Sequence, residues 1–232
     1  MINTMQSKIL PYEENLFFLI NGTRSHFEDN VMWLFSSIKI WIPLAVFIIF
    51  MIIYKKSWKQ CLPVLIAMIL VFVLCDQLSS HIIKPLFARP RPTHYPGIME
   101  HVRTLYNYTG GKYGFISGHA TNSFGFITFT ALLFKNKLYS IVAISWAVIV
   151  SYSRIYLGVH FVSDITGGMI TGIIIGFFIY KLYYLFQKKS PTLTNNIYST
   201  KRVNIMSAVM VCYIMIFSIL NESIIGFFIN TK

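Results

Sequence analysis

Residues 153–164 read Ser-Arg-Ile-Tyr-Leu-Gly-Val-His-Phe-Val-Ser-Asp, placing an arginine, a histidine and an aspartate in a chain otherwise built of apolar runs. Arg154 and His160 are six apart, and Asp164 follows His160 by four. The last spacing puts His160 and Asp164 on one side of a helix, if a helix covers both. A carboxylate beside an imidazole fixes its tautomer and favours its positive form, which suits nucleophilic or acid–base work. Outward from this stretch lie two more clusters, Lys84 to Arg91 and Ser117 to His119. Together the three read as parts of one oxyanion site, brought together by the apolar segments between them.

Those apolar segments decide the class. Of 232 residues, 55% are hydrophobic, 16% aromatic and only 12% charged. A soluble domain carries about 25% charged residues, so this is an integral membrane protein. The net charge of +12 then implies cytoplasmic anchoring loops and a site for an anionic substrate. No nucleic-acid partner is expected, because no long basic tract or soluble domain exists to host one. Cys61, Cys75 and Cys212 lie in apolar runs without metal or redox spacing and read as small buried hydrophobes. Met1 to Pro11 carries Lys8 but no apolar stretch, so no signal peptide is expected and the first span directs insertion.

In order, residues 1–37 read as an interfacial amphipathic segment, because Glu13, Glu14, Asn21, Arg24, Glu28 and Asp29 break any crossing run. Six spans are expected at 38–54, 61–80, 119–134, 138–157, 163–186 and 203–229. The first five form a core over 38–186, residues 187–202 a cytoplasmic linker, and 203–232 an additional C-terminal helix. The fold class is therefore all-α, a polytopic helix bundle. Three loops carry Lys55, Lys56 and Lys59; Lys135 and Lys137; and Lys188, Lys189, Lys201 and Arg202. Alternating spans put these on one side, the cytoplasmic side by charge bias. The 81–118 loop, the 158–162 turn and all three clusters then share the outer face of the plasma (inner) membrane, towards the periplasm or exterior. Gly168, Gly172 and Gly176 recur every four residues and predict close helix packing. Asn221 and Glu222 read as interfacial or packing residues.

The clusters carry distinct chemistry. Lys84, Arg89 and Arg91 exceed what anchoring needs, and arginine offers a planar fork for two phosphate oxygens. Pro90 and Pro92 hold the segment extended. Ser117 caps a helix start where Gly118 permits close backbone approach and free amides favour an anion. His119 then sits at the membrane boundary, able to hand a proton to a leaving oxygen. Between Pro92 and Ser117, Tyr95, Tyr106, Tyr108, Tyr113 and Phe115 read either as interfacial anchors or as a lid shaping a headgroup pocket.

Lys84 with six residues to Arg91-Pro92, then Ser117-Gly118-His119, then Ser153-Arg154 with five residues to His160 and three to Asp164, resembles the three-part signature of the phosphatidic acid phosphatase type 2 superfamily. That family includes bacterial undecaprenyl-pyrophosphate, phosphatidylglycerophosphate and lipid A phosphatases, with vanadium haloperoxidases as soluble relatives. Ile116 stands where the family usually has proline before the serine. The resemblance implies that His160 attacks phosphorus to form a phosphohistidine, that Asp164 orients it, and that His119 protonates the leaving lipid oxygen. It implies further that Lys84, Arg91, Ser117, Gly118 and Arg154 hold the phosphate oxygens, with Arg89 as a secondary contact. No metal and no cofactor is expected: Asp76, Glu100 and Asp164 are scattered along the chain. The partners implied are a lipid phosphate and the bilayer; no oligomeric state is implied. The competing reading is a non-catalytic phospholipid-binding or lipid-transport protein that kept the pocket, and against it stands the presence of His119, His160 and Asp164 together.

Overall fold

The computed structural model describes residues 2–23, 25–189 and 198–230, with backbone alone at 2–11 and 229–230. Among the described residues ten α-helices follow in chain order: α1 (Ile2–Asn21), α2 (His26–Ser36), α3 (Ile38–Ile53), α4 (Trp58–Asp76), α5 (Lys84–Phe87), α6 (Gly118–Phe134), α7 (Lys137–Tyr156), α8 (Val162–Lys188), α9 (Thr200–Ile219) and α10 (Asn221–Asn230). Their starts are capped as the sequence dictates. The Ser25 hydroxyl accepts from Glu28 N, Asn136 Oδ1 from Tyr139 N, and Ser199 Oγ from Arg202 N. Between α4 and α5 the helix widens into a π-helical stretch, Gln77–Ile83, that carries the chain to Lys84. The fold is the expected all-α membrane bundle, with no strand among the described residues.

Length and composition qualify four segments to cross a bilayer: Trp58–Phe87, Lys137–Tyr156, Val162–Lys188 and Thr200–Ile219. The pair α2 and α3, bent by 57°, makes a fifth if taken as one span. Of the six expected spans, the one at 119–134 is α6, only 17 residues long. The one at 203–229 breaks at Leu220 into α9 and α10. Half of the expected linker at 187–202, residues 190–197, lies outside the described residues; its two ends belong to α8, up to Lys188, and to α9, from Thr200.

At the centre α6 lies against α8 along a glycine seam. A Cβ placed on Gly172 would stand 2.4 Å from the Thr121 carbonyl, and one on Gly176 would stand 2.4 Å from the Gly125 carbonyl. The two backbones therefore touch, as the four-residue spacing predicts. Around this pair α4, α7 and α9 bury Val64, Val71, Phe129, Tyr139, Ala147 and Met206. Outward-facing Ile42, Val46, Ile69, Ile174 and Phe178 remain exposed, as a lipid-facing surface requires. Cys61 and Cys75 are buried as expected, whereas Cys212 is exposed on the outside of α9.

The two ends of the bundle differ in charge. The Lys-rich turns meet at one end, where Arg202 donates to the Met51 carbonyl at 3.1 Å and Asn136 to Asn204 Oδ1 at 2.8 Å. At the other end α1 and α2 pack on the end of α7 and on the 81–118 segment. Asn21 donates to the Arg103 and Tyr156 carbonyls, both at 2.9 Å, and Arg103 pairs with Asp29. Asn30 donates to Asn221 Oδ1 at 2.8 Å. Two of the polar residues that break the N-terminal apolar pattern, Asn21 and Asp29, thus form a clasp across this end.

Candidate active site

The site begins where α7 stops. Gly158, at φ +75°, turns the chain, and Val159 N returns to the Arg154 carbonyl at 3.1 Å. His160 follows in non-helical backbone, before α8 begins at Val162. No helix covers both His160 and Asp164, so their pairing has another cause. Asp164 lies in the first turn of α8, where its Oδ2 accepts from Phe161 N at 3.1 Å, satisfying an amide at the helix start. The same oxygen is 3.1 Å from His160 Nδ1. Asp164 is 0% exposed and His160 1%. The buried carboxylate holds the proton on Nδ1 and leaves the lone pair on Nε2.

The cations arrive from three elements. The π-helical stretch delivers Lys84, whose Nζ would lie 3.7 Å from a Cβ on Gly118, at the start of α6. Arg91 is carried by an extended segment bridged to Tyr113, with Nε donating to the Tyr113 carbonyl and Nη1 to the Val159 carbonyl at 3.3 Å. Arg154, 2% exposed at the end of α7, donates Nη1 to Ser36 Oγ and Nη2 to the Tyr108 hydroxyl at 2.8 Å, while its Nε has no partner. None of Lys84, Arg91 and Arg154 has a carboxylate partner among the described residues. Buried charges left unpaired are costly; Arg91 and Arg154 are buried and Lys84 half-buried, and three such cations around one chamber mark a place built for an anion.

His119 occupies the first turn of α6, with Nε2 3.1 Å from the Ser36 carbonyl. That carbonyl takes one ring N–H and leaves the other ring nitrogen for proton transfer. Lys84, Arg91, Gly118, His119, Arg154 and His160 all line one cavity of about 590 Å³. Ser117 does not: it is fully buried and its hydroxyl caps α6 by accepting from Ala120 N at 3.4 Å. Arg89 also stays out of the cavity. Its guanidinium is engaged by Glu13, Ser163 and Asp164, so the expected secondary contact with phosphate gives way to support behind Asp164. Ile116, in the place of the family's proline, is buried against Gly167 of α8.

Electrostatics in the loops follow from burial and the crowd of cations. Burial, reinforced by Arg91, Arg154 and Lys84, holds His160 well below the ordinary histidine value, so it is neutral near pH 7. Burial also lowers Arg91, with Arg154 adding to the effect. For Tyr108 burial pushes the hydroxyl up, but Arg154 and Arg91 outweigh it and leave it below the usual tyrosine value. Among the described residues no three His, Cys, Asp or Glu side chains gather in a metal-binding cluster.

The cavity continues from the cations into the bundle along an apolar shaft that includes Trp41, Ile48, Met68, Phe126, Trp146 and Met210. Asn122, one turn below His119, lines it with a buried Oδ1 that has no partner. Sequence reasoning singled out neither Ser36 nor Asn122. Neither carries a motif, and both matter only through three-dimensional proximity. Tyr108 was legible only as one aromatic in a possible lid.

The profile of the PAP2 superfamily matches residues 60–188. A lipid A 4'-phosphatase of Porphyromonas gingivalis is 45% identical over 175 residues, 75% of this chain and 74% of that protein. A lipid A 4'-phosphatase of Bacteroides thetaiotaomicron is 32% identical over 185 residues, 79% of this chain and 81% of that protein. The crystal structure of a transmembrane PAP2-type phosphatidylglycerolphosphate phosphatase from Bacillus subtilis superimposes with a TM-score of 0.59 at 27% identity, covering 82% of this chain and 90% of that one.

Proposed function

The chain belongs to the PAP2 superfamily and is a membrane lipid phosphatase; from that premise we propose that it removes phosphate from an acylated glycolipid of the lipid A type, without a metal ion, through a phosphohistidine on His160. The observation that carries this reading is a single cavity. It joins three unpaired cations and two histidines to an apolar shaft inside the bundle, a shape that suits a phosphate head attached to acyl chains. The two lipid A 4'-phosphatases among the relatives support the glycolipid over a polyprenyl diphosphate.

The steps follow from the residues. Lys84, Arg91 and Arg154 take the non-bridging phosphate oxygens, with the Gly118 amide beside them and Ser117 fixing the start of α6. Nε2 of His160 attacks phosphorus, and the bond from phosphorus to the lipid oxygen breaks. His119 gives its proton to that oxygen, so the lipid leaves as an alcohol. Asp164 holds the Nδ1 proton and balances the positive charge on the phosphorylated ring. Water then attacks the phosphohistidine, His119 takes its proton, and inorganic phosphate leaves as His160 is regenerated. Phosphoryl transfer of this kind asks the protein for positioning and charge stabilisation. The Lys-rich end opposite the site supports an inner-membrane placement with the site at the periplasmic or outer face.

The test is phosphate release by the detergent-solubilised protein from a panel of lipids in EDTA, beside His160→Ala. Release from a lipid A-type substrate that survives EDTA and vanishes in the variant is expected. Loss with EDTA, or release that persists in His160→Ala, would refute the mechanism. Preference for a polyprenyl diphosphate would refute the substrate class alone.

A further inference from the structure

We infer that Glu13 of α1 is a positioning residue of the reaction, acting through Arg89 to set the orientation and the charge that Asp164 presents to His160. The inference rests on the assignment of His160 as nucleophile and Asp164 as its partner. Glu13 lies outside the region matched by the family profile, residues 60–188.

Glu13 is 5% exposed, and both of its oxygens are engaged. Oε2 accepts from Arg89 Nη2 at 2.6 Å, and Oε1 accepts from the Ser163 amide at 2.7 Å, in the first turn of α8. Arg89 Nη1 donates to Ser163 Oγ at 2.5 Å and to Asp164 Oδ1 at 3.0 Å. Its guanidinium carbon lies 4.6 Å from the centre of the Phe161 ring. The other oxygen of Asp164 meets His160 Nδ1. Glu13, Arg89, Asp164 and His160 therefore form one buried line of alternating charge that ends at the nucleophile.

The physical consequence comes from counting charges along that line. Arg89 alone would cancel Asp164 and weaken its hold on the imidazole N–H, because a charge-assisted hydrogen bond depends on the acceptor's net charge. Glu13 divides Arg89 between two carboxylates, so the trio keeps one negative charge. That charge opposes the positive ring formed when His160 binds phosphorus. A plain structural staple is the alternative, but α1 has other anchors. Phe17 is 0% exposed and meets the Phe161 ring edge-on at 5.5 Å, and Asn21 ties the end of α1 to Arg103 and Tyr156. Glu13→Gln keeps the shape and one accepting oxygen while removing the charge, with its NH2 group set against either Arg89 Nη2 or Ser163 N, and the other anchors of α1 are expected to preserve the fold.

The experiment measures kcat and KM for phosphate release in detergent for Glu13→Gln, Arg89→Gln and the double variant, beside His160→Ala. For Glu13→Gln, kcat should fall about tenfold with KM within about twofold, since one charge-assisted contact weakens and the phosphate pocket is untouched. In the Arg89→Gln background, adding Glu13→Gln should cause no further loss. Wild-type kcat in Glu13→Gln, a parallel rise in KM, or multiplicative losses in the double variant would each overturn the inference. If Glu13→Gln is not recovered folded, Arg89→Lys carries the test: one ammonium cannot span both carboxylates, so a wild-type kcat there overturns it equally. Activity that survives His160→Ala would instead remove the underlying assignment, and so separates the two failures.

Discussion

Replacing Asp164 by asparagine probes the reaction centre with almost no change in volume. The carboxylate meets only donors: His160 Nδ1 and Phe161 N on one oxygen, Arg89 Nη1 on the other. An asparagine offers one accepting oxygen and one NH2 group, so either orientation sets a donor against a donor. With its oxygen towards His160, the amide nitrogen faces Arg89, and the imidazole loses a charged partner. Flipped, the NH2 group faces Phe161 N and drives the His160 proton onto Nε2, where it blocks the attacking lone pair. Loss of a charge-assisted hydrogen bond costs about 1.5–3 kcal/mol, and the tautomer penalty adds to it. A total of about 3–4 kcal/mol lowers kcat by roughly two to three powers of ten. The assay is phosphate release under saturating lipid, with trapping of acid-labile phosphoenzyme to show that the first step is the one slowed. A kcat within about fivefold of wild type would break the argument that the buried Asp164 carboxylate governs His160, because the tenfold unit is only about 1.4 kcal/mol.

The other expectations concern pH, contacts and packing. His160 must be neutral to attack and is held below the ordinary histidine value, so kcat/KM should persist as pH falls through 6.5 and decline only below it. His119 must be protonated to donate, so the profile should fall again on the alkaline side; a monotonic profile over pH 4–9 contradicts this pair. Tyr108→Phe removes the hydroxyl that accepts from Arg154 and should lower kcat/KM by about fivefold, near the worth of one hydrogen bond. An unchanged value would make Tyr108 a bystander. Gly172→Ala forces a Cβ into the Thr121 carbonyl and should destabilise the protein by about 1–3 kcal/mol, read as a lowered melting temperature in detergent. An unchanged melting temperature would show that α6 and α8 can part without cost.

Much of this molecule was legible because bilayer chemistry is restrictive. Long apolar runs between Lys-rich turns have few solutions, and the glycine stripe on α8 announced its own packing. The cluster residues were legible for a related reason: Lys84, Arg91, Arg154 and His160 are too costly inside a membrane protein to be there without use. What failed to read was anything set by shape rather than pattern. Glu13 had the look of an interfacial acid because its partner, Arg89, lies 76 residues away in sequence. The pairing of His160 with Asp164 had the right spacing for a helix yet arises from a helix cap. Leu220 carries no helix-breaking residue, so the interruption between α9 and α10 left no mark in composition. Ser117 had the right motif position, yet the structure spends its hydroxyl on the start of α6.

The backbone contact between α6 and α8 has a consequence for how the protein meets membranes of different thickness. Helices accommodate a thicker or thinner bilayer by tilting, each according to its own length. A seam to which α8 brings only glycines, set directly against the α6 backbone, leaves α6 and α8 no room to tilt separately, so the pair must move as one plank. His119 rides on the first of these helices and Asp164 on the second. Their spacing is thereby insulated from the lipid around them, while α3, joined to α2 through a 57° bend, is free to follow it. Reconstituted into vesicles of graded acyl length, the enzyme should show a level kcat with a KM that drifts. A kcat that tracks bilayer thickness would mean that the seam yields.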